Sequence, residues 1–264
     1  MKVKSVRCLS PDAPVGIPNK GNTCYLNSVI QMMVVCREYE QYKGSPLLPF
    51  FNALRKGHVI PAVPRILVAR SFREFNNHLQ HDAHEYLLRL LETTETCGAS
   101  NLFDGTFEVT VHFPDCNHSN VHTEPFRTLS METGPDLESA FRSFLSPVHV
   151  QSTCDTCNDG TTKPANRHLR VQTWPTYLIV QFKRFTNRLA KKNDRMQIPS
   201  AWRDYDLCAT IQHIGSTSQS GHYTACVKKN KKWYLCNDNK VIGLEERHVI
   251  RAAEVSYMVL YCKK

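Results

Sequence analysis

The first half of the chain carries helical patterns of apolar residues, and the clearest begins at residue 24. Apolar side chains recur there at i, i+3, i+4, i+7 and i+8, a spacing typical of one helix face. The same argument predicts a second helix at about 80–92. The two apolar faces consist of Leu26, Val29, Ile30, Met33 and Val34, and of Leu79, Ala83, Tyr86, Leu87, Leu90 and Leu91.

From residue 177 onward the pattern changes to short β-branched and aromatic runs separated by turn-like segments, which predicts strands. The region between, 97–170, is polar and rich in histidine and cysteine, with alternating segments such as 107–113. Helices first and strands last indicate an α+β fold with a mainly antiparallel sheet. The predicted strands are 177–185, 207–214, 222–229, 231–236 and 254–262.

Length and composition indicate a soluble globular protein. The 264 residues are 41% hydrophobic and 22% charged, and no apolar run approaches the roughly 18–20 residues of a membrane span. The N-terminus lacks the apolar core of a secretory signal. We therefore expect no membrane association and an intracellular location, in the cytoplasm, the nucleus or both. The eleven cysteines are then expected to be free thiols, some of them in a metal site.

The net charge of +9 would suit an acidic partner or nucleic acid. Much of it comes from local lysine runs, which are more often solvated edges than binding sites. An aromatic and basic recognition motif is also missing, which argues against nucleic acid as the partner.

Cys24, in the stretch GNTCYLNS, is a candidate nucleophile. It lies in the first turn of the predicted helix, where Asn22 or Thr23 can cap the N-terminus and the helix dipole favours the thiolate. The alternative is an inert buried thiol, which is the commoner role of a free cysteine.

His222 is a candidate base, because Gly221 before it would let a substrate backbone approach the imidazole. Asn237 and Asp238 end a later strand, and either side chain can orient a histidine ring. The alternative is an ordinary Asn-Asp turn between strands.

Together these stretches resemble the ubiquitin-specific proteases. GIPNKGNTCYLNS (16–28) resembles the cysteine box of that family, and QHDAHEYLLRLL (80–91) resembles its QQDAHEFLxxLL helix. LFDGTFEVTV (102–111), LIVQFKRF (178–185) and SGHYTACV followed by WYLCNDNKV are similar to three further motifs. The five motifs occur in the family's order.

The resemblance implies a single papain-like cysteine peptidase domain over 16–264, with 1–15 as an N-terminal segment. The helical thumb would extend over about 16–98, the β-rich fingers over about 100–172, and the antiparallel-sheet palm over about 173–264.

The resemblance also implies the catalytic residues. Cys24 matches the nucleophile, His222 the base and Asn237 the third triad member. Asp238 matches a neighbouring acidic position that can also contribute. Asn19 matches the side chain that donates to the oxyanion, for which an amide N–H is chemically suited.

The substrate implied is ubiquitin or a ubiquitinated protein, cleaved after the Leu-Arg-Gly-Gly tail. Asp82 and Glu85 match the carboxylates that bind the tail arginines, although a solvated helix face is the alternative. Gly221 suits the wall of a narrow channel for the two glycines. Another ubiquitin-like modifier with the same tail would fit equally well.

Members of the family often hold zinc at the fingertips with two Cys-x-x-Cys pairs. Cys154 and Cys157 form one intact pair. The other pair retains only Cys116, because Phe113 stands at the position of its first cysteine. His118 or His112 could supply the fourth ligand of a structural zinc. The alternative is a half-lost site of reduced cysteines without metal.

The motifs distinguish three possible functions. A cysteine deubiquitinase that needs no catalytic cofactor accounts for all five motifs. A ubiquitin-binding pseudoenzyme would be expected to lack a triad residue, and none is missing. A basic protein that binds zinc or nucleic acid explains neither GNTCYLNS nor GHYTACV.

Overall fold

The structure is a computed structural model that describes residues 13–58, 63–186, 190–217 and 220–264. The first twelve residues of the predicted N-terminal segment lie outside these ranges. No helix in the described part of the chain is long and apolar enough to cross a membrane.

The described residues form six α-helices, twelve β-strands and short 3-10 turns. The helices are α1 (Cys24–Val34), α2 (Leu48–Arg55), α3 (Val63–Ser71), α4 (Ala83–Glu92), α5 (Leu137–Leu145) and α6 (Glu246–Ala253). The strands are β1 (Gly105–Phe113), β2 (His118–Phe126), β3 (Thr128–Met131), β4 (Val148–Thr153), β5 (Thr162–Thr173), β6 (Tyr177–Phe182), β7 (Ala201–Trp202), β8 (Tyr205–Ile214), β9 (His222–Lys229), β10 (Lys232–Asn237), β11 (Lys240–Leu244) and β12 (Met258–Lys263). The 3-10 turns are Arg37–Gln41, Arg73–Phe75, Glu95–Cys97 and Ala99–Phe103.

The strands form two sheets. The smaller has the order β2-β1-β5-β4, and the larger has the order β11-β10-β9-β8-β12-β6-β3, with β7 paired to β8. Neighbouring strands are antiparallel, except that β3 runs parallel to β6. This order places β9 and β10, with the candidate base and its orienting residue, side by side near the edge of the larger sheet.

Both faces of the larger sheet are buried. All six residues of β6 are buried: Tyr177 and Ile179 pack into the core that contains α1, and Leu178 and Val180 pack into the core that contains α5 and α6. A strand covered on both sides reads as a continuous apolar run, which explains why 177–185 was recognisable as a strand.

Helix α1 is buried on all sides, rather than on the single apolar stripe that the spacing predicts. Every residue from Cys24 to Met33 is buried. The polar side chains on the helix are satisfied internally: the Asn27 amide donates to the Ile17 carbonyl at 3.1 Å, and the Gln31 amide donates to the Val15 carbonyl. The segment before the helix therefore supplies the hydrogen-bond acceptors that make its burial possible.

Two boundaries differ from the prediction. Helix α4 begins at Ala83 because Asp82 caps it, so Leu79 lies before the helix and is 66% exposed instead of forming part of its apolar face. The predicted strand 254–262 begins only at Met258, and helix α6 directly before it was not predicted.

Two of the cysteines are paired, contrary to the expectation of free thiols. Cys208 on β8 and Cys262 on β12 form a disulfide, with their Cα atoms 6.1 Å apart. The two strands are adjacent and the register shifts between Leu260 and Tyr261, which brings the two side chains together. The other eight cysteines of the described residues are free.

Arg184 ties the end of β6 to the approach to β12. Its side chain is fully buried, and its guanidinium donates to the carbonyls of Ser256 at 2.6 Å, Asp194 at 2.7 Å and Glu254 at 2.9 Å. A planar guanidinium presents five N–H donors in a fixed arrangement and can satisfy several separated carbonyls at once.

We expect Arg184→Met to lower the free energy of unfolding by about 3 kcal/mol, because it leaves buried carbonyls without donors. Urea unfolding followed by circular dichroism measures this change. Arg142→Met is the control, since that side chain is 78% exposed, and it should change stability by less than about 0.5 kcal/mol. Equal unfolding midpoints for Arg184→Met and the wild type would contradict the expectation.

Candidate active site

Cys24 is the first residue of α1, as predicted, but the predicted caps do not act. Thr23, the residue before the helix, makes no side-chain capping bond, and the Asn22 amide donates to the His78 carbonyl at 2.9 Å. The Asn19 carboxamide oxygen instead accepts from the backbone N–H groups of Thr23 and Gly21, each at 3.1 Å. Asn19 therefore fixes the loop that leads into the helix, in addition to any role toward substrate.

The Cys24 thiol lies against β9. It is 3% exposed and is within hydrogen-bonding reach of the Tyr223 backbone, the residue after His222. Burial raises the pKa of Cys24, the Tyr223 backbone lowers it and the Asp238 carboxylate raises it again, for a net increase. The sequence argument from the helix dipole favoured the thiolate. In this structure desolvation outweighs that effect, so the thiol needs a base.

His222 and Asn237 form the base and orienting pair. The His222 Nε2 lies 2.7 Å from the Asn237 side-chain oxygen. The Asn237 oxygen can only accept, so the imidazole proton lies on Nε2 and Nδ1 is left as the base. This pairing is possible because antiparallel β9 and β10 place the start of one strand beside the end of the other.

Asp238 contacts Asn19 and α1. Its carboxylate accepts from the Asn19 amide at 3.0 Å and from the Asn27 amide at 2.7 Å, and its backbone carbonyl accepts from the Ile17 N–H at 2.9 Å. These bonds hold one N–H of Asn19. The amide retains its second N–H, which is the group that an oxyanion needs.

Asp82, one of the three residues predicted to bind the tail, uses both carboxylate oxygens in hydrogen bonds within the protein. One carboxylate oxygen accepts from the His84 and Glu85 N–H groups and caps α4. The other accepts from the Tyr257 hydroxyl at 2.7 Å and the Tyr223 hydroxyl at 3.4 Å. Asp82 thus links α4 to the sheet, while Glu85 is exposed in the first turn of the helix.

Gly221 lies where only glycine fits. Its φ is +155°, and a Cβ added there would meet the His213 Nε2 at 2.3 Å. Its carbonyl accepts from the Gln80 amide at 2.6 Å, and its N–H donates to the Gln80 side-chain oxygen at 3.2 Å. These two bonds join the segment before α4 to the start of β9.

Sequence reasoning missed Gln80 and His213. Gln80 is the first residue of a motif that the sequence did reveal, so its position was available as a signal. His213 is the last buried residue of β8, and a histidine is buried less often than the apolar residues. It is 3% exposed, and its ring packs edge-on against Tyr223 with centroids 4.7 Å apart.

The predicted metal ligands also come together. Cys116, Cys154, Cys157 and His118 place their ligand atoms within 4.8 Å of one another. The Cys116 and Cys154 sulfurs are 3.7 Å apart, and the His118 Nδ1 is 3.5 Å from the Cys157 sulfur. Tetrahedral zinc with Zn–S bonds of about 2.3 Å sets sulfurs about 3.8 Å apart, so this cluster could hold a structural zinc. His112 is instead within 3.2 Å of the Ser119 hydroxyl.

Comparison with known proteins agrees with this geometry. A family model described as ubiquitin carboxyl-terminal hydrolase matches residues 15–261. The chain is 26% identical to ubiquitin carboxyl-terminal hydrolase 23 of Arabidopsis thaliana, covering 94% of the chain and 35% of the relative. It is 27% identical to ubiquitin carboxyl-terminal hydrolase 12 of Salmo salar, and the match covers 89% of this chain and 82% of that relative. The chain thus spans about a third of the plant relative and most of the salmon one.

Solved structures share the fold. The SAGA Ubp8/Sgf11/Sus1/Sgf73 DUB module bound to ubiquitin aldehyde contains a chain that superimposes with a TM-score of 0.79 at 19% identity, covering 96% of this chain and 70% of that one. The module with a cysteine-to-alanine variant of Ubp8, bound to monoubiquitin, gives a TM-score of 0.77 at 19% identity. This match covers 99% of this chain and 72% of that one.

The fold, with a cysteine-bearing helix packed on a sheet that carries a histidine, is that of a papain-like cysteine peptidase, and the α+β prediction is confirmed. The chain belongs to the ubiquitin carboxyl-terminal hydrolase family. The predicted class, a cysteine-type deubiquitinating enzyme, is confirmed with it. The division into thumb, fingers and palm and the roles of individual residues stay predictions.

The buried His213 makes stability depend on pH. Burial first, and then the nearby Lys191, lower the pKa of His213 to about 4. Between this value and the ordinary histidine pKa of about 6.5 the unfolded chain binds a proton that the folded chain does not, so stability falls on acidification. From pH 7 to pH 5 the contribution is about 1.5–2 kcal/mol.

We expect His213→Phe to remove this contribution. Urea unfolding at pH 7 and pH 5 should show a smaller loss of stability in the variant than in the wild type. His149→Phe, at an exposed position on β4, is the control and should behave like the wild type. An equal acid loss in wild type and His213→Phe would contradict the assignment.

Proposed function

We propose that this chain hydrolyses the isopeptide or peptide bond after the C-terminal glycine of ubiquitin, through a thioester on Cys24. The observation that carries the proposal is the His222–Asn237 pair at 2.7 Å, placed next to Tyr223, whose backbone the Cys24 thiol contacts. In the two matched structures the module is bound to ubiquitin aldehyde and to monoubiquitin, which supports ubiquitin as the modifier.

The mechanism follows from these groups. The His222 Nδ1 takes the thiol proton, and the Cys24 sulfur attacks the glycine carbonyl carbon. The oxyanion is stabilised by the second N–H of Asn19 and by the Cys24 backbone N–H. The carbon–nitrogen bond breaks as His222 returns its proton to the leaving amine. Water, deprotonated by the same imidazole, then hydrolyses the thioester and restores the thiol.

Binding of the tail is proposed at the N-terminal end of α4 and at the start of β9. Glu85 is exposed and is the carboxylate that can pair with a tail arginine, and Asp82, whose two oxygens already accept four hydrogen bonds, adds its negative charge. Gly221 lies beside them through its bonds to Gln80. Modifiers that share the Leu-Arg-Gly-Gly tail meet the same groups, so a related ubiquitin-like protein is the second candidate substrate. A catalytically weak ubiquitin-binding protein is disfavoured because all three triad side chains are present.

The roles of the triad predict graded losses of activity. Cys24→Ala should abolish hydrolysis of ubiquitin 7-amido-4-methylcoumarin and leave ubiquitin affinity nearly unchanged. His222→Ala removes the proton acceptor and should lower kcat/KM by about 10³–10⁴. Asn237→Ala removes only orientation and should cost less, by about tenfold or more.

Fluorescence kinetics and calorimetry measure these effects. Asn239→Ala, at an exposed turn position, is the matched control and should retain activity. Substantial turnover by Cys24→Ala, or a larger loss in Asn237→Ala than in His222→Ala, would contradict the mechanism.

We also propose that the cluster of three cysteines and His118 holds one zinc ion, which ties the hairpin between β1 and β2 to the turn after β4. His118→Ala should lose metal and unfold at a lower temperature, whereas the matched His112→Ala should keep both. Atomic-emission analysis of purified protein measures zinc content. Zinc that is lost equally in both variants, or absent from wild type after growth with added zinc, would contradict this ligand set.

A further inference from the structure

Strand β11 forms one edge of the larger sheet. Within the described ranges it pairs only with β10, and no other backbone hydrogen bond reaches residues 240–244. An edge strand presents unpaired N–H and C=O groups, to which another extended chain can add. The side chains and charges around β11 decide which extended chain would suit it.

The outward-facing backbone groups of β11 belong to Val241 and Gly243. The loop between β10 and β11 has two residues, so the pair that flanks it, Asn237 and Lys240, is hydrogen-bonded. Hydrogen-bonded and non-hydrogen-bonded pairs alternate along an antiparallel ladder. The N–H and C=O groups of Val241 and Gly243 therefore face away from β10, toward the position of an added strand.

One face of β11 is apolar. Ile242 lies opposite Leu235, and Leu244 lies opposite Trp233, so these side chains share a face of the sheet. Leu235 and Leu244 are half-buried against the core, whereas Ile242 is 51% exposed. A strand added to β11 would place every second side chain on this face, and apolar side chains there would cover Ile242.

The opposite face of β11, on which Gly243 lies because successive residues alternate, is open and basic. No atom lies within 4 Å of the point where a Cβ on this glycine would be. A cavity of about 280 Å³ next to it is lined by Lys231, Lys232 and Glu246, and Glu246 lies 3.8 Å from Lys228. Positive charge therefore predominates, and acidic side chains suit the alternate positions of an added strand.

The charge around the edge disfavours a second copy of this chain as the partner. Four of the five residues 228–232 are lysines, and β11 itself begins with Lys240. Lys231, Lys232 and Lys240 are exposed, and no ion pair to any of them is found in the described part of the chain. Lysines at a sheet edge oppose pairing between like-charged copies, but they attract an acidic strand.

We propose that β11 docks an extended acidic segment of another protein, in which acidic and apolar side chains alternate. The backbone of the segment pairs with Val241 and Gly243, its apolar side chains cover Ile242, and its acidic side chains meet Lys231 and Lys232. A nucleic acid would match the charge but has no row of amide groups for the strand edge. This interaction goes beyond the proposed hydrolysis, because it uses none of the catalytic residues.

Fluorescence anisotropy with labelled peptides tests the proposal. Val-Glu-Val-Glu-Val-Glu-Val alternates as the proposal requires, and Val-Val-Val-Val-Glu-Glu-Glu has the same composition without the alternation. We expect saturable binding of the first peptide to wild type and binding of the second that is weaker by about tenfold or more. A version of the first peptide with lysine in place of glutamate should not bind, because its charge repels the lysines of the protein.

Three variants separate the contacts. Gly243→Pro removes an outward N–H and blocks the edge, and the pairing with β10 is kept because that N–H does not face β10. Ile242→Lys removes the apolar contact, and Lys232→Glu reverses a charge. Each should weaken binding of the alternating peptide by about threefold to tenfold, with a thermal unfolding midpoint close to that of wild type.

Val148→Lys is the matched control. Val148 is as exposed as Ile242, at 51%, and it lies on β4, an edge strand of the smaller sheet. This variant should bind the alternating peptide as wild type does.

Several results would overturn the proposal. Equal binding of the two valine–glutamate peptides would do so, as would wild-type affinity in Gly243→Pro. A labelled single-stranded DNA oligonucleotide that binds more tightly than the peptide, with no effect of Gly243→Pro, would assign the basic surface to nucleic acid instead. Dimers of wild type in analytical ultracentrifugation that are lost in Gly243→Pro would assign the edge to a second copy of this chain.

Discussion

The packing of α1 against β9 is the contact on which the site depends. A helix buried on every side has no freedom to shift, and the residue at its N-terminus is held against the start of the strand. Burial of this helix requires partners for its polar side chains, and the segment 15–19 together with Asp238 provides them. The same hydrogen bonds that make the helix compatible with the core therefore position the nucleophile and the oxyanion donor.

The β10–β11 turn serves two catalytic groups at once. Asn237, the last residue of β10, orients the base, and Asp238, the next residue, holds Asn19. Asp238 adopts a left-handed backbone conformation with a φ of 49°. The side chain of Asn237 faces His222, whereas the side chain of Asp238 faces Asn19. Its negative charge also raises the pKa of Cys24. The geometry thus favours a thiol that reacts only when His222 takes its proton.

The sequence alone predicted the elements that local patterns determine. Helix α1 begins at Cys24 and strand β9 covers 222–229, both as predicted, because their apolar spacing and flanking glycines are local signals. The cap from Asn19, the Cys208–Cys262 pair and the choice of His118 over His112 depend on contacts between distant segments, which no local pattern encodes. Helix α6 was missed because only Val249 and Ala253 of its residues are buried, too few for a clear apolar face.

The most direct test of the account is the reaction of the protein with ubiquitin that carries a C-terminal propargylamide, followed by intact mass and peptide mapping. The account predicts one adduct, on Cys24 and on none of the other free cysteines, and no adduct with Cys24→Ala. An adduct on another cysteine, or none with folded wild type, would contradict the claim that α1 and β9 assemble a ubiquitin-directed nucleophile.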